Sequence, residues 1–111
     1  MEIAARHHDD VLALDMAGRL DASTAGKVHD TFVDFAKTQP KKVMLNLDQV
    51  AYVSSAGLRV ILTLVKLLQS SKGELKICAA NDDVKAVLQT SGFNSLIKLV
   101  DDEGSAVASW S

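Results

Sequence analysis

Val43-Met44-Leu45-Asn46-Leu47-Asp48-Gln49-Val50-Ala51-Tyr52-Val53-Ser54-Ser55-Ala56-Gly57-Leu58-Arg59 carries the decision about the fold. Val43 to Leu47 is an apolar run of the kind that forms a buried central strand, with Asn46 and Asp48 as polar interruptions near its end. After the serines, Leu58, Ile61, Leu62, Val65 and Leu68 share one side of a helix. Arg59, Thr63, Lys66 and Ser70 form a narrow polar stripe on the other. Val60, Leu64 and Leu67 widen the apolar side, so this helix is expected to be buried along most of its length. Gly73 is expected to close it. Ser54 and Ser55 thus stand where a strand hands over to a helix. Unpaired backbone N–H groups and the positive end of the helix dipole meet at such a junction, and both favour negative charge. A serine hydroxyl there can cap the helix, hold a phosphate, or do both.

Working towards the N-terminus, Gln39-Pro40-Lys41-Lys42 is a break with the one proline of the chain. Before it, Ala25, Val28, Phe32 and Phe35 repeat at helical spacing, with Lys27, Asp30, Asp34 and Lys37 on the opposite face. Gly18-Arg19-Leu20-Asp21-Ala22-Ser23-Thr24 leads into that helix: Gly18 ends a strand, and Asp21 or Ser23 supplies the cap. Val11 to Met16 alternates as a strand, and Ile3 to Ala5 reads as a second. Arg6-His7-His8-Asp9-Asp10 between them reads as the hairpin connection. Its residue types could bind a metal. Adjacent histidines of an extended segment point to opposite faces, however, so the reading is a solvated turn with no metal.

Towards the C-terminus, Glu74 to Ala79 forms a strand in which Cys78 is a small core residue. Asn81 caps a helix striped by Val84, Val87 and Leu88, the acidic pair Asp82-Asp83 suits its positive end, and Ser91-Gly92 stops it. Leu96 to Val100 is a last strand. Asp101 to Gly104 reads as a turn with helix-start character, Ala106, Val107 and Trp110 then form a short terminal stripe, and Trp110 is expected to pack on the domain. Strand and helix alternate from about residue 11, which is an α/β pattern. With the N-terminal hairpin, the sheet should be mixed, with four to five strands, about four helices and right-handed crossovers. Residues 1–111 read as a single domain.

Composition restricts function more than it names it. A chain of 111 residues with 48% hydrophobic and 23% charged residues can build one core without staples. The net charge of -2, with no basic tract, gives no electrostatic footprint for nucleic acid. Apolar runs fall far short of the roughly 18 residues of a membrane span. The single cysteine forms no internal disulfide, and the first residues lack a signal-peptide core, so a cytoplasmic location is expected.

Catalytic patterns are missing. There is no Gly-x-Gly-x-x-Gly, no Lys-bearing phosphate loop and no His-Glu-x-x-His. Val53 stands where a hydrolase elbow centred on Ser55 needs its first glycine. His7, His8 and His29 all precede the serine strand, in no triad order. The expectation is a non-enzyme without cofactor.

Asn46 to Leu62 resembles the signature of the STAS domain, shared by bacterial anti-sigma factor antagonists and sulfate transporters. Gly18-Arg19-Leu20-Asp21-Ala22-Ser23-Thr24 resembles the family's second motif and Ser91-Gly92-Phe93 its third, so the likeness spans essentially the whole chain. Its brevity resembles the free-standing antagonist type. The resemblance implies a partner-switching module. The unphosphorylated antagonist binds a serine kinase that doubles as an anti-sigma factor, the kinase phosphorylates a Ser or Thr at this turn, and a metal-dependent serine phosphatase reverses it. The familiar pattern places an acidic residue at position 54 and the acceptor at 56. This chain has Ser54 and Ala56 there. Ser55 is therefore the first candidate acceptor and Ser54 the second, with capping as the other role of both. The resemblance makes Asp21, Ser54, Ser55, Gly57 and Arg59 the partner-binding set. Asp21 could equally be a helix cap and Arg59 a solvated surface residue. Asp48 is expected to shape the loop after the strand. The alternatives are a constitutive STAS adaptor in a membrane transport or other assembly, and a small-ligand sensor with a pocket near the end of the central strand.

Overall fold

The computed structural model describes residues 1–110. After an N-terminal hairpin, strands and helices alternate: β1 (Glu2–His8), β2 (Val11–Leu20), α1 (Ala25–Ala36), β3 (Lys42–Val53), α2 (Ser55–Ser70), β4 (Glu74–Cys78), α3 (Asp82–Thr90), β5 (Lys98–Val100) and α4 (Glu103–Ala108). A single turn of 3-10 helix, Phe93–Ser95, precedes β5. The sheet has five strands in sequence order. β1 runs antiparallel to β2, and the remaining pairs are parallel. Parallel neighbours in sequence order, joined by crossovers of one hand, receive their helices on one face. Val28 and Phe32 of α1, Val60, Ile61, Leu64, Val65 and Leu68 of α2, and Val84 and Leu88 of α3 accordingly join one core.

Strand alternation divides the apolar residues between the two faces. Leu12, Leu14 and Met16 of β2, Leu45 and Leu47 of β3, and Leu75 and Ile77 of β4 enter the large core. Val11, Ala13, Met44 and Cys78 point the other way, into a small cluster closed by Ala106 of α4. Burial pushes the Cys78 thiol up to about 12, which makes it an inert core group.

Several element ends differ from the sequence reading, each for an identifiable reason. The hairpin connection is only Asp9-Asp10, and pairing runs on through His8 and Val11. Arg6 belongs to β1 because its guanidinium has partners on the sheet, donating to Asp15 at 2.6 and 2.9 Å. His8 turns to Glu103, while His7 lines a groove with Phe35 and Pro40 on the opposite side. Gly18, at φ 116, lies within β2 and does not end it. β3 continues from Leu47 to Val53 because β2 accompanies it, with register shifts that absorb the polar Asp48 to Tyr52 stretch. Asp48 is therefore a strand residue beside a shift, not a loop residue. α2 ends in a Schellman arrangement: Gly73 N–H donates to the Leu68 carbonyl at 2.7 Å and Lys72 N–H to that of Gln69 at 3.1 Å. The left-handed position is Lys72, at φ 61, rather than Gly73. Gly73 is needed for a different reason, since a Cβ there would stand 2.6 Å from the Pro40 carbonyl oxygen. β4 stops at Cys78 because Ala79 adopts φ 62.

One charged network crosses the small face of the sheet. Arg6 of β1 bridges Asp15 of β2 and Glu103 of α4, donating to Glu103 Oε2 at 2.7 Å. His8 Nδ1 lies 2.7 Å from the same carboxylate, and Asn46 Nδ2 reaches it at 3.5 Å. Arg6 above all, then His8, holds the Glu103 carboxyl down at about 2.

Two measurements follow from these features. Lys72→Gly relieves a left-handed strain at the price of a freer unfolded chain, and should raise stability by about 0.5–1 kcal/mol in urea unfolding. A carboxylate with a depressed folded pKa adds stability that is complete above its ordinary value and lost as pH falls through the folded one. The stability difference between wild type and Glu103→Gln should thus be constant well above 4.5 and shrink as pH drops from there towards about 2. The depressed Asp10, Asp21 and Asp102 carboxyls are present in both chains and drop out of that difference.

Candidate functional site

The serine junction is built by bringing the ends of β2 and β3 together. Leu20 pairs with Val53 at the end of the parallel ladder. One residue later, Ser54 N–H donates to the Leu20 carbonyl at 2.9 Å. The chain then turns into α2, and Ser54 becomes its N-cap: its Oγ accepts from Gly57 N–H at 3.3 Å, and its carbonyl accepts from Leu58 N–H at 2.9 Å. Gly57 is buried at the contact. A Cβ added there would sit 2.6 Å from the Leu20 carbonyl oxygen and 2.7 Å from Leu20 Cγ. The helix can come this close to β2 only because position 57 has no side chain.

Ser55, the first residue of α2, is exposed. Its hydroxyl takes part in no hydrogen bond among the described residues. Ser54 is half-buried and its hydroxyl is engaged. Ala56 is half-buried with no hydroxyl to offer. Arg59 is exposed one turn beyond Ser55, at the i+4 position on the same helix face.

The loop from Leu20 to Thr24 is packed beside this junction and ordered by its own polar groups. The Asp21 carboxylate accepts from Ser23 N–H at 3.0 Å and from the Ser23 hydroxyl at 2.6 Å. The Thr24 hydroxyl donates to the Arg19 carbonyl at 2.8 Å and accepts from Asp21 N–H at 3.1 Å. The Asp21 carbonyl accepts from Ala25 N–H at 2.8 Å. The N-cap of α1 is Thr24, without a side-chain cap bond. The expected capping by Asp21 or Ser23 is thus absent, because the Asp21 carboxylate is spent on Ser23. The Ser23 hydroxyl above all, with its amide and Arg19, holds the Asp21 carboxyl below the usual range.

Two residues outside the sequence-derived set adjoin the candidate site. Arg19 lies over the Tyr52 ring at 4.6 Å and its Nε is 3.5 Å from Asp21 Oδ2. Their pairing across the β2–β3 ladder brings them together. Arg19 is nonetheless 62% exposed at its side chain, and Tyr52 is 43% exposed, so they form a stiffened surface rather than a buried pair. Tyr52 also borders a cavity of about 270 Å³ with Ala51, Val53, Asp83, Val84 and Val87. That volume lies below the roughly 300–1,000 Å³ of small-molecule pockets. The sequence signal for Arg19 and Tyr52 was their place inside the quoted motifs; their mutual contact depends on a register that no local pattern displays.

The structure therefore brings Asp21, Ser54, Ser55, Gly57 and Arg59 to one end of the sheet, in different roles. Ser55 and Arg59 face solvent, Asp21 orders the loop, Ser54 caps and Gly57 is an internal spacer. Among the described residues, no helix is long and apolar enough to cross a membrane.

The family model described as "STAS domain" matches residues 2–106. The chain is 30% identical over 108 residues to the anti-sigma F factor antagonist of Paenibacillus polymyxa, covering 96% of this chain and 92% of that one. It is 27% identical over 104 residues to the anti-sigma-B factor antagonist of Listeria monocytogenes, covering 94% and 90%. A crystal structure of a Thermotoga maritima protein superposes with a TM-score of 0.90 at 25% identity, over 96% of this chain and 92% of that one.

The close approach at position 57 has a direct test. Gly57→Ala should cost about 1–3 kcal/mol by overpacking against Leu20, and Ser54→Ala about 1 kcal/mol by loss of the cap. Urea midpoints of the two variants measure both; a Gly57→Ala midpoint equal to wild type would show that the Leu20 carbonyl can retreat freely.

Proposed function

The chain belongs to the STAS domain family, and on that footing we propose that it is an anti-sigma factor antagonist, a protein-binding module switched by phosphorylation of Ser55. Residues 1–111 act as one STAS domain. The reading draws on the names of the two relatives and on one structural observation above all: Ser55 offers an exposed, unengaged hydroxyl on the first turn of α2, while its neighbours do not. A phosphate there adds about -1.5 to -2 charges to the partner-facing surface. The dipole and first-turn N–H groups of a helix as long as α2 tolerate that charge. The switch then works by blocking docking, without remodelling the fold.

In this reading the partner is a serine kinase that is also the anti-sigma factor, and a serine phosphatase resets the module. The chain itself is a binding partner and substrate rather than an enzyme, and acts in the cytoplasm. Docking uses the surface of Ser55, Arg59 and the ordered Asp21 loop, with Ser54 and Gly57 shaping it. The absence of a hydroxyl at Ala56 keeps one rival in view, a constitutive adaptor with no phosphate switch.

Incubation with the cognate kinase and ATP should add a single phosphate, seen by intact mass and mapped to Ser55. Ser55→Ala should abolish it and Ser54→Ala should retain it. Ser55→Asp should weaken kinase binding at least about tenfold relative to Ser55→Ala, on the order of 1.4 kcal/mol. Equal affinities of the two variants, with no phosphate gained by the wild type, would replace the switch with the constitutive adaptor.

A further inference from the structure

The two faces of the sheet are closed very unequally. The large core unites 22 buried residues from strands, helices α1 to α3 and the segment before β5, whereas the opposite cluster has five: Val11, Ala13, Met44, Cys78 and Ala106. Among the described residues, α4 and the following Ser109 and Trp110 supply the cover of that second face, beside Ala79 and Val100 at its edge. α4 has six residues, well below the roughly 12–15 needed for a helix to persist alone. Ala106 is its one fully buried side chain. Val107 and Trp110 are half-buried against the same cluster, and the remaining contacts with the sheet are polar. At one end, Glu103 is held by Arg6 and His8, with Asn46 at the edge of reach. At the other, the Lys76 ammonium donates to the Ser109 hydroxyl and lies 4.1 Å from the centre of the Trp110 ring. Behind α4 the chain passes through Asp101-Asp102, two exposed residues in a bend that separates it from β5.

We propose that α4 is a lid, closed over the second face of the sheet by the Glu103–Arg6–His8 charge latch and able to open about Asp101-Asp102 while the rest of the domain stays folded. A segment with little apolar burial occupies the low-stability end of the local-opening range. Its latch is open to solvent ions: the side chains of Arg6, His8 and Glu103 are 40%, 39% and 21% exposed. Salt therefore weakens the latch, while the large core on the other face is insensitive to it. Opening uncovers Val11, Ala13, Met44 and Cys78, an apolar sheet surface remote from the Ser55 turn.

The molecule carries its own reporters. Cys78 is the single cysteine, fully buried in the closed state, and Trp110 is the single tryptophan. The rate of Cys78 modification by excess maleimide, at fixed pH, counts lid openings. In wild type the rate should depend only weakly on urea at low concentrations, far less than global unfolding does. Glu103→Gln should raise it roughly three- to tenfold, the effect of losing a pair of partly exposed ion pairs. Added sodium chloride should accelerate wild type and leave Glu103→Gln nearly unchanged. Asp34→Asn, which removes the 3.6 Å ion pair with Lys37 on α1, should not alter the rate. Trp110 emission should shift with the same salt dependence. A labelling rate with the full urea dependence of global unfolding, or one that rises in Glu103→Gln only as far as its global stability falls, would overturn the proposal. So would a rate equal in wild type and Glu103→Gln.

Discussion

The approach of α2 to the end of β2 at Gly57 is the constraint on which the strand-to-helix junction at Ser54-Ser55 depends. Leu20 contributes its carbonyl oxygen to Ser54 N–H and presses the same oxygen and its side chain against the space where a Cβ would be. The cap at Ser54 and the start of the Asp21 loop both adjoin that contact. A single missing side chain thus sets the spacing between two segments more than thirty residues apart in the chain.

From this contact the site is assembled by division of labour between hydroxyls. Ser54 completes the helix and Ser23 and Thr24 complete the loop, while the Ser55 hydroxyl makes no hydrogen bond among the described residues. Asp21 spends its charge inside the loop and on Arg19. Arg19, stiffened by Tyr52, remains the exposed charge. The surface around Ser55 therefore carries two arginines, Arg19 and Arg59, beside an internally satisfied carboxylate. New negative charge at Ser55 would alter that surface more than it would alter the fold, because the nearby backbone bonds are already made.

The sheet's two faces follow from the same economy of packing. Sequential parallel strands place α1, α2 and α3 together and concentrate apolar burial on one side. The other side receives a small cluster, a six-residue helix and a set of charges. The N-terminal strand and the C-terminal helix meet there through Arg6 and His8, which share the Glu103 carboxylate. Stability on this side is thus electrostatic and local in a way that the large core is not.

The sequence by itself determined the α/β alternation, the mixed sheet, the apolar faces of α1 to α3 and the strand-to-helix turn at Ser54-Ser55. Those are written in short-range period, and short-range period is what sets local structure. It also named the candidate site residues, because they lie within two contiguous motifs. Tertiary structure decided where elements end and what each site residue does. β3 runs on to Val53 because β2 lies beside it; Arg6 is a strand residue because Asp15 and Glu103 await its guanidinium. Asp21 orders the loop instead of capping α1 because Ser23 folds back onto it. Arg19 meets Tyr52, and Gly57 meets Leu20, only through the register of a parallel ladder. Such contacts join residues distant in the chain, and no periodicity in either segment records which partner the other will face.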